Sequence, residues 1–371
     1  MSPGPEPPRR RPRRGAGISA ALCSVTLCSG ALGAATVSAA AAGGRSSTVA
    51  IPAPFAPRAM VADAGRGWVL GSVPGTRCAL ESVAPRTLRT RRFGLASCGL
   101  DLLAAGGDLY LAAEHPVAGS DSTQLRIERF DPATGRSVVL RPVDLTLHGS
   151  AVAHTALAFG HGSLWLWGET GRGGVLVAVS PATGRVQRTM RGVPAIGGAQ
   201  PLLVATAGGL WLAGGPGATA VVDRLAWGAA APSPVYRGPM DGSVLWLAPA
   251  AGALWAAVVT DVPGGGPATV HVVVLGPSGP TAERPDPEGA APPTGTGPLL
   301  WALGPAGLSC TGPLRLLRID AATGTAAVSA TLPAPAGPCL VTTAVAAFGR
   351  TALALVGGAE GAPSVVTRAV G

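Results

Sequence analysis

Lysine is absent: all 28 basic residues of this 371-residue chain are arginine. Charge of either sign is scarce, at 13 % of residues against 47 % hydrophobic, and aromatics make up only 4 %. So apolar a composition, with a regular period, argues against global disorder. The net charge of +9 is unevenly placed: Arg9, Arg10, Arg11, Arg13 and Arg14 against Glu6 give residues 1–44 a charge of +4, and the other +5 is spread thinly. No dense basic face with interleaved aromatics is present, which argues against nucleic-acid binding. The chain also lacks C-x-x-C, G-x-S-x-G, H-E-x-x-H and P-loop motifs, so no metal or cofactor is expected.

Glycine and proline are abundant, with 55 and 36 copies. Many tight turns between short strands reconcile that number with the apolar fraction. The Ala, Gly, Pro and Arg bias is actinobacterial-like, as in high-GC genomes. At the N-terminus a cationic cluster precedes an apolar run from about Gly15, and small residues follow near Ser38–Ala42. That order is the one of an export signal. Residues 1–44 are therefore expected to be a signal peptide or an uncleaved N-terminal membrane anchor, and residues 45–371 the exported domain.

Three five-residue stretches resemble one another: Asp131-Pro132-Ala133-Thr134-Gly135, Ser180-Pro181-Ala182-Thr183-Gly184 and Asp320-Ala321-Ala322-Thr323-Gly324. Each follows a β-like run and precedes another. Asp or Ser can accept backbone hydrogen bonds, and Gly supplies positive φ, so each reads as a hairpin turn. Upstream lies a second unit, a Gly turn followed by an aromatic or Leu strand. Its anchors are Trp68, Tyr110, Trp165, Trp211, Trp255, Ser309 and Leu353, spaced by 42, 55, 46, 44, 54 and 44 residues. Propeller blades repeat at about 40–50 residues. The expectation is all-β: a seven-bladed β-propeller of four-stranded antiparallel blades at 59–97, 98–150, 151–198, 199–240, 241–290, 295–337 and 338–371. The aromatic anchors are expected to pack between blades. STVAIP (47–52) has no hairpin partner, and blade seven shows three strands, so the first segment should complete the last blade and remove an open edge.

These turns and Gly-turn-Leu-Trp strands make the chain similar to bacterial propellers of the YVTN/quinoprotein-like (PQQ-like) repeat class, and the latter are also similar to streptogramin lyase. Quinoprotein repeats place a Trp four positions after the turn glycine. Here Val139, Arg188 and Val328 stand there, which counts against a quinone-dependent dehydrogenase, and the lyase's catalytic constellation does not map onto this chain.

After the export segment four cysteines remain, Cys78, Cys98, Cys310 and Cys339. An even count in an oxidising compartment suggests disulfides. In an alternating blade the second-to-third-strand loop shares a face with the link to the next blade, which favours pairs 78–98 and 310–339. The five histidines, His115, His148, His154, His161 and His271, read as scattered. Polar residues on the inner strands are few: Asp63, Asp101, His154, Thr155, Thr206, Thr342 and Thr343. That favours a binding or scaffold module of the cell envelope, secreted or membrane-anchored and monomeric, with an unknown protein or envelope ligand. The alternative is a propeller enzyme of lyase or hydrolase type acting at the central channel. Long loops at 113–124, 214–220 and 260–268 are the candidate contact surfaces, lying between different strand pairs and not required to share a face. The first carries Glu114, His115, Asp121 and Gln124.

Overall fold

The computed structural model describes residues 46–370 except 52–54, 74–76, 97–100, 117–121, 141–142, 149–154, 171–172, 194–201, 215–218, 241, 251, 263–265, 286–291, 296, 305–313, 333–342 and 358–363. The residues assigned to the export signal lie outside that set. Strand β1 (Ser47–Ile51) comes first. Blade one is β2 (Ala56–Asp63), β3 (Arg66–Val73), β4 (Arg77–Val83) and β5 (Thr90–Gly94). Blade two is β6 (Asp101–Ala105), β7 (Asp108–Pro116), β8 (Ser122–Asp131), β9 (Arg136–Val139) and β10 (Val143–His148). Blade three is β11 (Thr155–Gly160), β12 (Ser163–Thr170), β13 (Gly173–Val179) and β14 (Val186–Val193). Blade four is β15 (Leu202–Thr206), β16 (Gly209–Ala213), β17 (Thr219–Ala226) and β18 (Ser233–Met240). Blade five is β19 (Gly242–Ala250), β20 (Ala253–Val262), β21 (Gly266–Gly276) and β22 (Gly279–Pro285). Blade six shows β23 (Leu299–Gly304), β24 (Leu314–Asp320) and β25 (Ala326–Leu332), and blade seven β26 (Thr343–Phe348), β27 (Thr351–Val356) and β28 (Ser364–Val370). Every strand pair is antiparallel, and the blades form a seven-bladed propeller.

The turns form for the expected reasons. Asp131 Oδ1 accepts from the Ala133 N–H at 2.8 Å, its Oδ2 from the Thr134 hydroxyl at 2.7 Å, and Gly135 sits at φ 72°. Asp320 repeats the pattern, with Gly324 at φ 76°. Both carboxyls are held below the usual range, Asp131 by the Thr134 hydroxyl first and Asp320 by the Thr323 N–H first. In blades one, two and three the turn between first and second strands places two successive residues at positive φ: Ala64-Gly65, Gly106-Gly107 and His161-Gly162. That geometry matches the twist of a two-residue hairpin.

β1 pairs with β28 over five residues, Ser47↔Arg368 to Ile51↔Ser364, and supplies the outer strand of blade seven. The sheet therefore closes as the sequence indicated. Two details differ. The fourth position of blade two is filled in two pieces, β9 and β10, which both pair with β8. This interruption accounts for the 55-residue spacing. In blade six, Leu299–Gly304 was expected as the first strand and Ser309 as the second-strand anchor. Instead β23 pairs with β24 in the register of a second strand, Trp301 opposite Arg318 as Trp211 stands opposite Arg224. The anchor is Trp301, and among the described residues the first strand shrinks to one bridge, Thr294↔Trp301.

The core consists of the seams between blades. Trp68, Tyr110, Trp165, Trp211, Trp255, Trp301 and Leu353 are each buried, each in a cluster shared with the following blade. The indole of Trp68 donates to Asp63 O at 3.3 Å, that of Trp165 to Gly160 O at 3.1 Å, and that of Trp211 to Thr206 Oγ1 at 3.1 Å. These bonds clip the second strand to the end of the first in blades one, three and four. The third and fourth strands carry a second seam. Arg188, standing where quinoprotein repeats carry Trp, donates to Ala229 O of the next blade at 2.6 Å. Arg284 donates to Ala322 O, Arg224 to Pro277 O at 3.4 Å, and Arg368 to Arg86 O at 2.6 Å. Phe93 of blade one lies against Gly135 in the turn of blade two, where an added Cβ would stand 2.8 Å from its ring. A fork of N–H donors thus does in several blades what an aromatic plate does in blade one.

Candidate functional site

Chain direction fixes the faces. Each second strand runs away from its Gly turn, so second-to-third-strand connections and blade-to-blade links share the opposite face. The candidate loops leave from β7/β8, β16/β17 and β20/β21, which are all second/third pairs. They therefore share one face, contrary to the looser expectation. Their strands also run further than expected. Glu114 and His115 belong to β7 and Gln124 to β8, with His115 opposite Gln124. Asp121 lies outside the described residues.

The inner strands β2, β6, β11, β15 and β19 are neighbours in turn, as are β23, β26 and β2. Two of their polar groups, Asp101 and Thr206, hold strands together. Asp101 Oδ2 accepts from the Leu157 N–H of blade three at 3.0 Å, and Oδ1 from its own Leu102 N–H at 2.9 Å. Desolvation outweighs those two bonds and raises the carboxyl pKa. Asp63 is also raised, by burial first, and its Oδ2 is buried without a partner among the described residues. Thr206 holds Trp211 as above. His154 and Thr342 lie outside the described residues, and the side chains of Thr155 and Thr343 do too. His161 stacks on Trp227, ring centroids 5.4 Å apart, and Trp227 donates to Ala207 O at 2.9 Å.

A test of the Asp101 clasp follows. Asp101→Ala should cost about 1–3 kcal/mol, because the Leu157 N–H loses its acceptor. Asp101→Asn keeps an acceptor oxygen. A raised carboxyl pKa means the native state holds its proton longer, so wild-type stability falls as pH rises from about 4, the unfolded value, through the folded value. The melting temperature of Asp101→Asn minus wild type should therefore climb over that window. A flat difference would remove the burial argument.

A further set of polar groups converges on the rim between blades four and five. A cleft of about 510 Å³ is lined by Tyr236, Val258, Thr260, His271, Val273, Pro280, Ala282 and Glu283. His271 Nδ1 and Glu283 Oε1 are 2.9 Å apart. Val258 faces His271 and Val273 faces Glu283 across the sheet, which puts these groups on one side of blade five. Tyr236 comes from blade four, and its phenol pKa is raised by burial and then by the Glu283 charge. His271 and Glu283, 12 residues apart, meet across the β21–β22 hairpin, but Tyr236, 35 residues before His271, joins them only through the packing of blade four on blade five, for which the sequence carries no signal. Among the described residues no group of three His, Cys, Asp or Glu could hold a metal ion.

No protein-family model matches the chain, and no curated protein matches it. Solved propellers do. The polysaccharide lyase Uly1 superposes with a TM-score of 0.53 at 10 % identity, over 86 % of this chain and 91 % of that one. The β-propeller domain of the Trilobed protease from Pyrococcus furiosus, described as having an open velcro topology, gives 0.51 at 9 % identity over 84 % and 95 %. A prolyl endopeptidase gives 0.44 at 12 % identity, and the chain spans only 54 % of its length. At these identities the likeness shows the fold alone.

Proposed function

We propose that the chain is an exported cell-envelope β-propeller that binds a protein or envelope ligand through the face carrying its second-to-third-strand connections. The common face of the three candidate loops carries this reading. A rigid sheet scaffold commonly presents its contacts in such connections. The engagement of Asp101 and Thr206 in inter-strand bonds supports binding over channel chemistry. Residues 1–44 deliver the domain across the membrane, and either are removed or stay as its anchor. The repeat is of the YVTN/quinoprotein-like kind, with Arg188 replacing a docking Trp.

An oxidising compartment goes with disulfides Cys78–Cys98 and Cys310–Cys339. The sulfur of Cys78 is bridged rather than free. The Leu95 N–H donates to Cys78 O at 3.1 Å, which brings the chain beside Cys78 three residues before Cys98. Cys98, Cys310 and Cys339 themselves lie outside the described residues. Peptide mapping without reductant should return 78–98 and 310–339; a 78–339 link would contradict the blade assignment.

The functional test replaces residues 117–121 with a Gly-Ser linker, sets Glu114, His115 and Gln124 to alanine, and cross-links the protein on the cell surface. Loss of a captured partner with unchanged melting is the expected result. The reading fails if the capture profile is unchanged, or if the purified protein turns over a small substrate and Asp101→Asn abolishes that turnover.

A further inference from the structure

We propose that the rim cleft between blades four and five is a saccharide-binding site. It adjoins the third candidate loop through Thr260 but shares no residue with loop 113–124, which the functional test alters, so its failure would leave that reading standing. Three features of the cleft point to this ligand class. Its apolar wall is formed by exposed Pro280 and Ala282 beside Val273, at 7 % exposure, and is backed by fully buried Val258. The C–H face of a pyranose can cover such a surface. Its rim alternates donors and acceptors, namely the Thr260 and Tyr236 hydroxyls, the His271 imidazole and the Glu283 carboxylate. Vicinal sugar hydroxyls both donate and accept, so they can satisfy all four kinds of group. The volume, about 510 Å³, suits a small oligosaccharide and lies in the range of ligand clefts.

The site is also fixed in advance. His271 holds one carboxylate oxygen of Glu283 at 2.9 Å, which orients the other. The Tyr236 ring lies along Gly238, where an added Cβ would stand 3.1 Å from the phenol oxygen. Groups that need little reordering lose little entropy on binding. No Arg lines the cleft and a carboxylate does, which disfavours phosphates and carboxylate ligands. The Thr260 hydroxyl already meets that of Thr269 at 2.9 Å, and an organic ammonium would satisfy Glu283 but would offer the Tyr236 hydroxyl no acceptor.

Saturation-transfer NMR on the full chain with maltose, cellobiose and N,N′-diacetylchitobiose tests the assignment. At least one should receive saturation. Its affinity should fall tenfold or more in Glu283→Gln and in Tyr236→Phe, while circular dichroism and melting stay as in wild type. Glu283 is exposed, so its variant is expected to fold even if a Tyr236 variant does not. Replacing residues 117–121 should leave the signal unchanged. The proposal is overturned if none of the three sugars receives saturation, if Glu283→Gln binds as wild type does, or if tetramethylammonium binds there and the sugars do not.

Discussion

Removing residues 45–53 should lower the melting temperature sharply and bring aggregation. These residues include all of β1, which meets β28 in five consecutive pairs. Without it, the outer edge of blade seven presents unpaired backbone groups, a template for pairing with another chain. Apolar surface opens as well. Ile51 is 1 % exposed and packs in the seam with Phe55, Met60, Val69 and Val366. Losing that side chain alone costs about 2–5 kcal/mol. The Ser364 hydroxyl donates to Phe55 O at 3.4 Å just beyond the deletion, so the chain entering blade one is loosened too. Differential scanning calorimetry with light scattering reads both effects. Unchanged melting would make residues 45–53 a linker.

Trp301→Ala should be among the most damaging point substitutions, at about 3–5 kcal/mol. Trp301 is fully buried in the seam of blades six and seven, with Leu303, Leu316, Val345, Ala352 and Ala354. Its indole donates to Gly349 O, in the first turn of blade seven, at 3.1 Å. Blade six has little first strand among its described residues, so β23 stands directly beside β26 and this one side chain fills much of the junction. Urea unfolding measures the loss. A change below about 1 kcal/mol would mean that the neighbouring Leu side chains collapse into the space, as compliant sites can.

Most of the architecture was legible because each blade repeats local chemistry. Asp131 and Asp320 cap their turns by contacts within three residues, so composition over five positions suffices to see them. The Trp anchors repeat because each must fill the same gap between twisted sheets. Blade six was misplaced for the same reason: PLLWALG looks like a first strand, and only its pairing with β24 shows it to be a second. The arginine seam was also invisible, since Arg188, Arg224, Arg284 and Arg368 reach carbonyls 38 or more residues away. The candidate loops were found, but not their shared face, which depends on strand direction around the ring. The cleft joins the His271–Glu283 pair of one hairpin to Tyr236 of another blade, and nothing local marks that second contribution.

Closure by β1 is the claim that makes the seven blades one ring, because it joins the first strand of the chain to the last blade. The Thr48 and Thr367 hydroxyl oxygens lie 3.1 Å apart across the β1–β28 pair. A double variant, Thr48→Cys with Thr367→Cys, should form a disulfide on mild oxidation, found by peptide mapping without reductant as a link between residues 48 and 367. Two free thiols at these positions in the folded, oxidised protein would contradict the closed ring.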